Sequence, residues 1–220
     1  MKRIRFIVAV IILLGSIQVK AQSFNAGIIA GATFCQVDAI DEDYQGFHQL
    51  GFTAGAYANL PLDDHFSAQL ELKYSLFGAH SSHYEISERV PTLPPYSLRL
   101  HYAEIPLMLR YDLGYFRVGG RSLDFITLEA GASLDVRLRV TEDADGDFEV
   151  TTRRWSLLSA TANAGLHFDI TKHLGIGARF MYSVAPCRFV GNPTPGWFRY
   201  HYYNKVIQLT LTYNINSPLR

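Results

Sequence analysis

Phe66-Ser67-Ala68-Gln69-Leu70-Glu71-Leu72-Lys73-Tyr74-Ser75-Leu76 decides the fold. Phe66, Ala68, Leu70, Leu72, Tyr74 and Leu76 take one parity, and Ser67, Gln69, Glu71, Lys73 and Ser75 take the other. Side chains on a strand alternate with period two, whereas at helical spacing these residues would scatter charge all round the cylinder. The stretch is therefore a strand with one apolar and one wet face. It is as long as the roughly 9–11 residues that a strand tilted across a bilayer needs. A longer segment repeats the pattern, with Ile126, Leu128, Ala130, Ala132, Leu134, Val136, Leu138 and Val140 against Thr127, Glu129, Gly131, Ser133, Asp135, Arg137 and Arg139.

Working outward, the alternation predicts strands from Phe24 to Val37, Leu50 to Leu60, Phe66 to Leu76, Leu98 to Leu113, Phe125 to Val140, Trp155 to Ile170, Leu174 to Val184 and Tyr203 to Ile215. The turns Pro61 to His65 and Thr171 to His173 are tight, while Asp38 to Gln49, Gly78 to Ser97, Thr141 to Arg154 and Ala185 to Tyr202 are long. Gly114 to Asp124 breaks the alternation, with Gly119-Gly120 marking a turn inside it. Short turns and long loops at opposite ends are the habit of outer-membrane barrels, and place both termini in the periplasm. Lipid cannot satisfy open backbone groups, so the first strand must pair with the last. The expected fold is all-β: an eight-stranded antiparallel up-and-down transmembrane β-barrel. Tyr57, Tyr74, Phe77, Tyr102, Tyr111, Trp155, Phe168, Tyr182 and Tyr203 fall toward strand ends, where aromatic girdles are expected.

Lys2, Arg3 and Arg5, the apolar run from Phe6 to Ile17, and Val19-Lys20-Ala21 follow the order of a secretory leader cleaved after Ala21. The expected domains are thus a signal peptide over 1–21 and a barrel over 22–220. Charged residues make up 18 % of the 220-residue chain, against about 25 % in soluble domains. That shortfall suits a barrel that hides its charges in the lumen and loops. A formal net charge of zero gives no electrostatic case for nucleic acid as a partner. Cys35 and Cys187 are the only cysteines, and an exported compartment leaves both a bridge and two free thiols open.

Phe24-Asn25-Ala26-Gly27, Gln69-Leu70-Glu71-Leu72-Lys73-Tyr74, Tyr102-Ala103-Glu104-Ile105-Pro106-Leu107-Met108-Leu109-Arg110-Tyr111 and Glu129-Ala130-Gly131 resemble the PorT-like outer-membrane β-barrel proteins of Bacteroidetes. The resemblance covers nearly the whole chain after the leader, and Glu104-Ile105-Pro106-Leu107 is its most specific piece. It implies an eight-stranded barrel embedded in the outer membrane, most members having no assigned biochemical role. It also implies that Pro106, awkward in a strand because proline cannot donate to the ladder, is a tolerated family feature. One departure is the end of the chain, where Asn214 to Arg220 follow Tyr213 in place of a terminal aromatic.

The wet faces carry Glu71, Lys73, Glu104, Arg110, Glu129, Asp135, Arg137, Arg139, His167, Asp169 and Arg179. An eight-stranded barrel is only wide enough for side chains to fill it. Glu71, Lys73, Glu104, Arg110, Glu129, Arg137 and Arg179 are therefore expected to form a paired network that plugs the lumen, Lys73 beside Glu104 and Arg110 beside Glu129. An ion pathway along the same residues is the functional alternative. Trp197, Phe198, Arg199 and Tyr200 make an aromatic and basic loop suited to glycan, lipid headgroups or protein outside the cell. Asp143 to Asp147 has the oxygen density of a calcium loop but lacks the bidentate acid at its far end. His80, Ser81, Ser82, His83 and Glu85 show no ordered nucleophile, base and orienter. No catalytic residue, metal or cofactor is expected. The expected protein is a non-enzymatic outer-membrane monomer in contact with lipid, with an envelope-structural or surface role. Periodicity alone does not say which face is outside, so a secreted lipocalin-like barrel around a small apolar ligand stays open as the rival.

Overall fold

The computed structural model describes residues 24–38, 46–80, 97–143, 149–150, 155–189 and 201–215. The expected leader lies outside them. The strands are β1 (Asn25–Asp38), β2 (Gln49–Pro61), β3 (Phe66–His80), β4 (Ser97–Asp112), β5 (Arg117–Val118), β6 (Arg121–Ser122), β7 (Ile126–Asp143), β8 (Glu149–Val150), β9 (Leu158–Asp169), β10 (Leu174–Ser183), β11 (Arg188–Phe189) and β12 (His201–Asn214). Eight of them, β1, β2, β3, β4, β7, β9, β10 and β12, form an antiparallel up-and-down sheet in that order. The sheet closes because β1 also pairs with β12, from Gly27 opposite Asn214 to Asp38 opposite Tyr203.

Period-two alternation becomes a physical inside and outside. On β3, Gln69, Glu71, Lys73 and Ser75 are buried while Leu70 and Leu72 are exposed. Leu107, Leu109, Leu128, Leu134, Leu166, Ile176, Phe180, Leu209 and Leu211 continue the exposed apolar belt round the wall. The charged face is the interior, so the lipocalin-like assignment, which needs the apolar face inside, is the wrong way round for this chain. Small residues let the curved strands approach: a Cβ on Gly55 would meet the Leu72 carbonyl oxygen at 2.1 Å.

Two tight turns sit at one end of the barrel. Between β2 and β3, Asp63 Oδ1 accepts from the His65 and Phe66 amides at 2.8 and 2.6 Å. These bonds, His65 first, hold the Asp63 carboxyl below its ordinary range. Between β9 and β10, Thr171 Oγ1 accepts from the Leu174 amide at 3.0 Å. The longer third connection at this end contains a 3-10 turn, Leu113–Tyr115, and the β5–β6 hairpin. Gly119 and Gly120 close that hairpin with φ of 61° and 83°, the left-handed values that a two-residue turn needs and glycine supplies. Pro106 faces inward. β3 and β4 keep one register from Leu70 opposite Leu107 to Lys73 opposite Glu104, with the partners between them missing beside the proline. A residue with no N–H interrupts the ladder there without shifting it.

The structure corrects three details of the alternation. The register of β4 on β7 shifts between His101 and Tyr102, which face Arg139 and Arg137, so Leu138 is an extra residue on β7. Beyond this bulge the parity reverses, turning Val140 into the interior and Arg139 out of it. Arg139 therefore does not belong to the wet face. Tyr57, Phe77, Tyr102 and Trp155 are also buried in the interior rather than placed in a girdle. Finally, Trp155 is not part of the sixth long strand: it makes an isolated bridge to Arg188, and β9 begins at Leu158.

Leu72 is 62 % exposed on the outer wall. Leu72→Arg is expected to destabilise the barrel in phospholipid vesicles by about 2–4 kcal/mol, the effect of a charge in mid-bilayer, with Leu72→Ala much milder. Urea unfolding followed by tryptophan fluorescence measures both. Equal stability of the two variants would show that Leu72 does not face hydrocarbon.

Candidate functional site: the charged and capped lumen

The strand order places β3 and β10 on opposite sides of the ring, and one side chain joins them. Arg179 on β10 donates from both terminal nitrogens to Glu71 on β3, each at 2.9 Å. This bidentate fork is the strongest geometry an arginine and a carboxylate can make. The same guanidinium reaches Glu129 on β7 at 2.8 Å. Glu129 in turn meets Arg110 Nε on β4 at 3.0 Å. Lys73 sits between Glu71 at 3.0 Å and Glu104 at 3.2 Å, and donates to Gln208 on β12 at 2.9 Å. Gln69 links Arg110 to Glu71, accepting from the first and donating to the second at 2.7 Å each. Ser75 donates to Glu104 at 2.6 Å.

Of the seven expected network residues, the structure brings together Glu71, Lys73, Glu104, Arg110, Glu129 and Arg179. Arg137 is not among them: at the bulge its Nε donates to the Ser156 carbonyl at 3.0 Å. Gln69 and Gln208 join the cluster and were not expected in it. Their wet-face parity was visible, but a partner across the ring has no mark in local sequence. Asp135 also lies in this layer, opposite Glu104, with neither carboxylate oxygen hydrogen-bonded. Toward the tight-turn end, His167 Nε2 lies 3.2 Å from Asp169. Toward the other end, Thr53 and Ser75 bond at 2.8 Å, and Ser133 is hydrogen-bonded to Thr161.

Above the charged layer the interior turns apolar. Cys35, Val37, Phe77, Ala79, Leu98, Leu100, Tyr102, Val140, Trp155, Met181, Cys187 and Val206 form one buried cluster, with Phe77 and Tyr102 rings 5.5 Å apart. Arg188 closes the rim. Its guanidinium lies 5.0 Å from the Trp155 ring and 5.2 Å from that of Tyr202, and pairs with Glu142 at 3.0 Å. The lumen is thus filled twice, by ion pairs and by a greasy cap.

The two cysteines are free and buried. Cys187 lies in the connection after β10, where burial pushes its thiol up to about 12. His80 ends β3, while 81–85 lie outside the described residues, as do 144–147 and Trp197, Phe198, Arg199 and Tyr200. Among the described residues no group of three or more His, Cys, Asp or Glu side chains could hold a metal.

A closed eight-stranded sheet with an apolar exterior and a charged interior has the architecture of a transmembrane barrel. The chain belongs to the outer membrane protein beta-barrel domain family. The family match spans residues 20–187. No curated protein matches the chain. Among solved structures it is similar to Ail, the attachment invasion locus protein of Yersinia pestis, at 14 % identity and a TM-score of 0.49, covering 87 % of this chain and 98 % of that one. Neisserial surface protein A follows at 13 % and 0.45, covering 87 % and 97 %. OprG from Pseudomonas aeruginosa stands at 10 % and 0.38, covering 89 % and 97 %.

Two measurements check this interior. Arg179→Ala leaves Glu71 with Lys73 and Glu129 with Arg110, one buried carboxylate in excess among these six residues, and is expected to lower unfolding stability by about 3–5 kcal/mol. Adding Glu71→Gln to the same chain should recover part of the loss, since the remaining charges of the network then balance. Loss of stability in the double variant equal to the sum of the separate losses would refute the coupling. For the thiols, a water-soluble maleimide is expected to leave Cys35 and Cys187 unlabelled in the folded barrel and to label both after denaturation, read by intact mass.

Proposed function

We propose that this protein is a non-enzymatic outer-membrane barrel that carries no flux and serves envelope structure or contact at the cell surface. The observation supporting it most directly is the Arg179–Glu71 fork, which runs from one wall of the barrel to the other. A solute crossing the lumen would have to break that fork, displace the Lys73 and Arg110 pairs and part the cap around Phe77 and Tyr102. Breaking a buried pair alone costs about 3–5 kcal/mol. Within the family, the PorT-like group of Bacteroidetes is the finer assignment, supported by Glu104-Ile105-Pro106-Leu107 and the inward proline.

The same reading gives orientation and assembly. Tight turns face the periplasm, as do both termini, and the long connections face outward. Export through a leader cleaved after Ala21 is supported by Lys2, Arg3, Arg5 and the apolar run that follows. A monomer suffices, because β1 pairs with β12 and leaves no edge for a second copy to extend.

Planar-bilayer recording of the purified barrel tests the proposal. No steady conductance is expected from the unmodified protein. Reproducible unitary steps would overturn the closed reading and make the protein a narrow channel. Removing the cap with Phe77→Ala and Tyr102→Ala together should raise brief openings at most, because the ion-paired layer still crosses the lumen below it.

A further inference from the structure

The connection from β4 to β7, the long one at the tight-turn end, folds into a small body of its own. The Phe116 amide donates to the Leu113 carbonyl at 2.9 Å, and the Leu123 amide to the Phe116 carbonyl at 3.1 Å. Asp112 Oδ1 accepts from the Gly114 amide at 2.7 Å, and Ser122 Oγ donates to the Gly114 carbonyl at 2.9 Å. Arg117–Val118 and Arg121–Ser122 then pair as β5 and β6. Backbone groups bonded in this way can lie against an apolar medium without being stranded there. What the hairpin shows outside is aromatic. Tyr115 is 76 % exposed and Phe116 49 %, with their rings edge-on at 5.9 Å.

These rings join the barrel wall. His65, in the turn before β3, meets Tyr115 edge-on at 6.2 Å and Tyr111 at 6.1 Å. Tyr111 packs at 4.8 Å on Phe66, its partner across β3 and β4. Phe66 and Tyr111 share the outward parity of Leu70, Leu72, Leu107 and Leu109, all exposed on the lipid-facing wall. Aromatic rings at the end of such a wall mark the headgroup boundary. His65 therefore holds Tyr115 beside that boundary and Phe116 beside Tyr115, a surface continuous with the one that lipid already covers. Charge does not choose the occupant. Arg117 and Asp124 of the hairpin are both exposed, as are Asp63 and Asp64 in the neighbouring turn, so the surface asks for an apolar medium at the waterline and not for an ion.

We infer that the hairpin over residues 113–124 is an interfacial anchor, its Tyr115 and Phe116 rings seated among the headgroups and upper acyl chains of the leaflet on the tight-turn side. A tyrosine suits that depth because its ring is apolar and its hydroxyl polar. The other two connections at this end are tight, so the anchor stands on one side of the ring, between β4 and β7, and sets the depth and tilt of that side. Seating requires a barrel that spans a membrane but not a closed lumen, so conductance leaves it unaffected.

The test places the full barrel in phosphatidylcholine vesicles. Phe116→Trp adds one indole to Trp155 and Trp197, and the difference in emission from the unmodified protein reports its surroundings. Tyr115→Trp is a second reporter, and Leu72→Trp, in mid-wall, is the deep reference. All three are first checked for the unboiled compact gel band of the intact barrel. The emission added at 116 is expected to lose most of its intensity to lipid brominated high on the acyl chain, less to lipid brominated near the methyl end, and little to iodide in the water. Leu72→Trp should reverse the order of the two lipids. Quenching at 116 by iodide and not by brominated lipid would put the hairpin in water, and protection from all three quenchers would mean that a second copy covers it. Either result overturns the proposal, as would the deep order of Leu72→Trp at position 116.

Discussion

The fork between Arg179 and Glu71 is the constraint round which the rest of this barrel is arranged. A ring of eight strands encloses little room for free water around charged side chains, so Glu71, Lys73, Glu104, Arg110, Glu129 and Arg179 pair with one another across the lumen or between strands on one side of it. Arg179 binds Glu71 on the far wall and Glu129 two strands away. Once Glu71 and Glu129 are fixed, Lys73 and Arg110 have determined places, and Gln69 and Gln208 fill the donor and acceptor positions that charge alone leaves open. The network is made of side chains, yet it sets the strand register as firmly as the ladders. A slip of one residue on β3 or β10 would turn Glu71 or Arg179 toward hydrocarbon.

The bilayer imposes the complementary condition from outside. Its interior offers no hydrogen-bond partner, so the backbone must close on itself, and β1 against β12 supplies the last ladder. Closure explains how the wall tolerates Pro106. The missing N–H faces the β3 side at one position in an otherwise continuous register, and the inward ring lies among buried neighbours rather than opening a gap to lipid. An edge strand could have borne the proline more easily, but a closed barrel has none to offer.

Much of this was legible in sequence because the two faces differ in kind. Between Phe66 and Leu76 every inward position is polar and every outward one apolar, so parity alone separates lumen from lipid. Lys73 and Glu104 could be set together because consecutive strands of an up-and-down barrel run antiparallel side by side, and both residues fall on the wet parity. The same reasoning failed where the outer and inner faces become alike in composition. In Leu134, Val136, Leu138 and Val140 an unbroken apolar parity concealed the bulge, since the residue it inserts, Leu138, is as apolar as those it displaces. An aromatic near a strand end suits either a headgroup or a plugged interior, so position along the strand alone sends Phe77 and Tyr102 to the girdle. Their parity, shared with Lys73 and Glu104, was the better guide and puts them inside. The cross-ring partners stayed hidden for another reason. Arg179 and Glu71 are separated by 108 positions, and no local pattern records which wall a side chain will meet.

The change from charged to apolar filling along the lumen has its own logic. Ion pairs weaken when water reaches them, because the attraction falls as the surrounding dielectric rises. The apolar cluster from Cys35 to Val206 stands between the paired layer and the long-connection end, and the Trp155–Arg188–Tyr202 stack covers it. The bulge belongs to the same device. By reversing parity above Leu138, one inserted residue sends Val140 inward to complete the cap and Arg139 outward to the exposed wall. Without it Arg139 would enter the cluster of Phe77, Tyr102 and Val206, whose side chains carry no charge. The seal over the lumen and the outward turn of Arg139 are therefore two consequences of a single extra residue in β7.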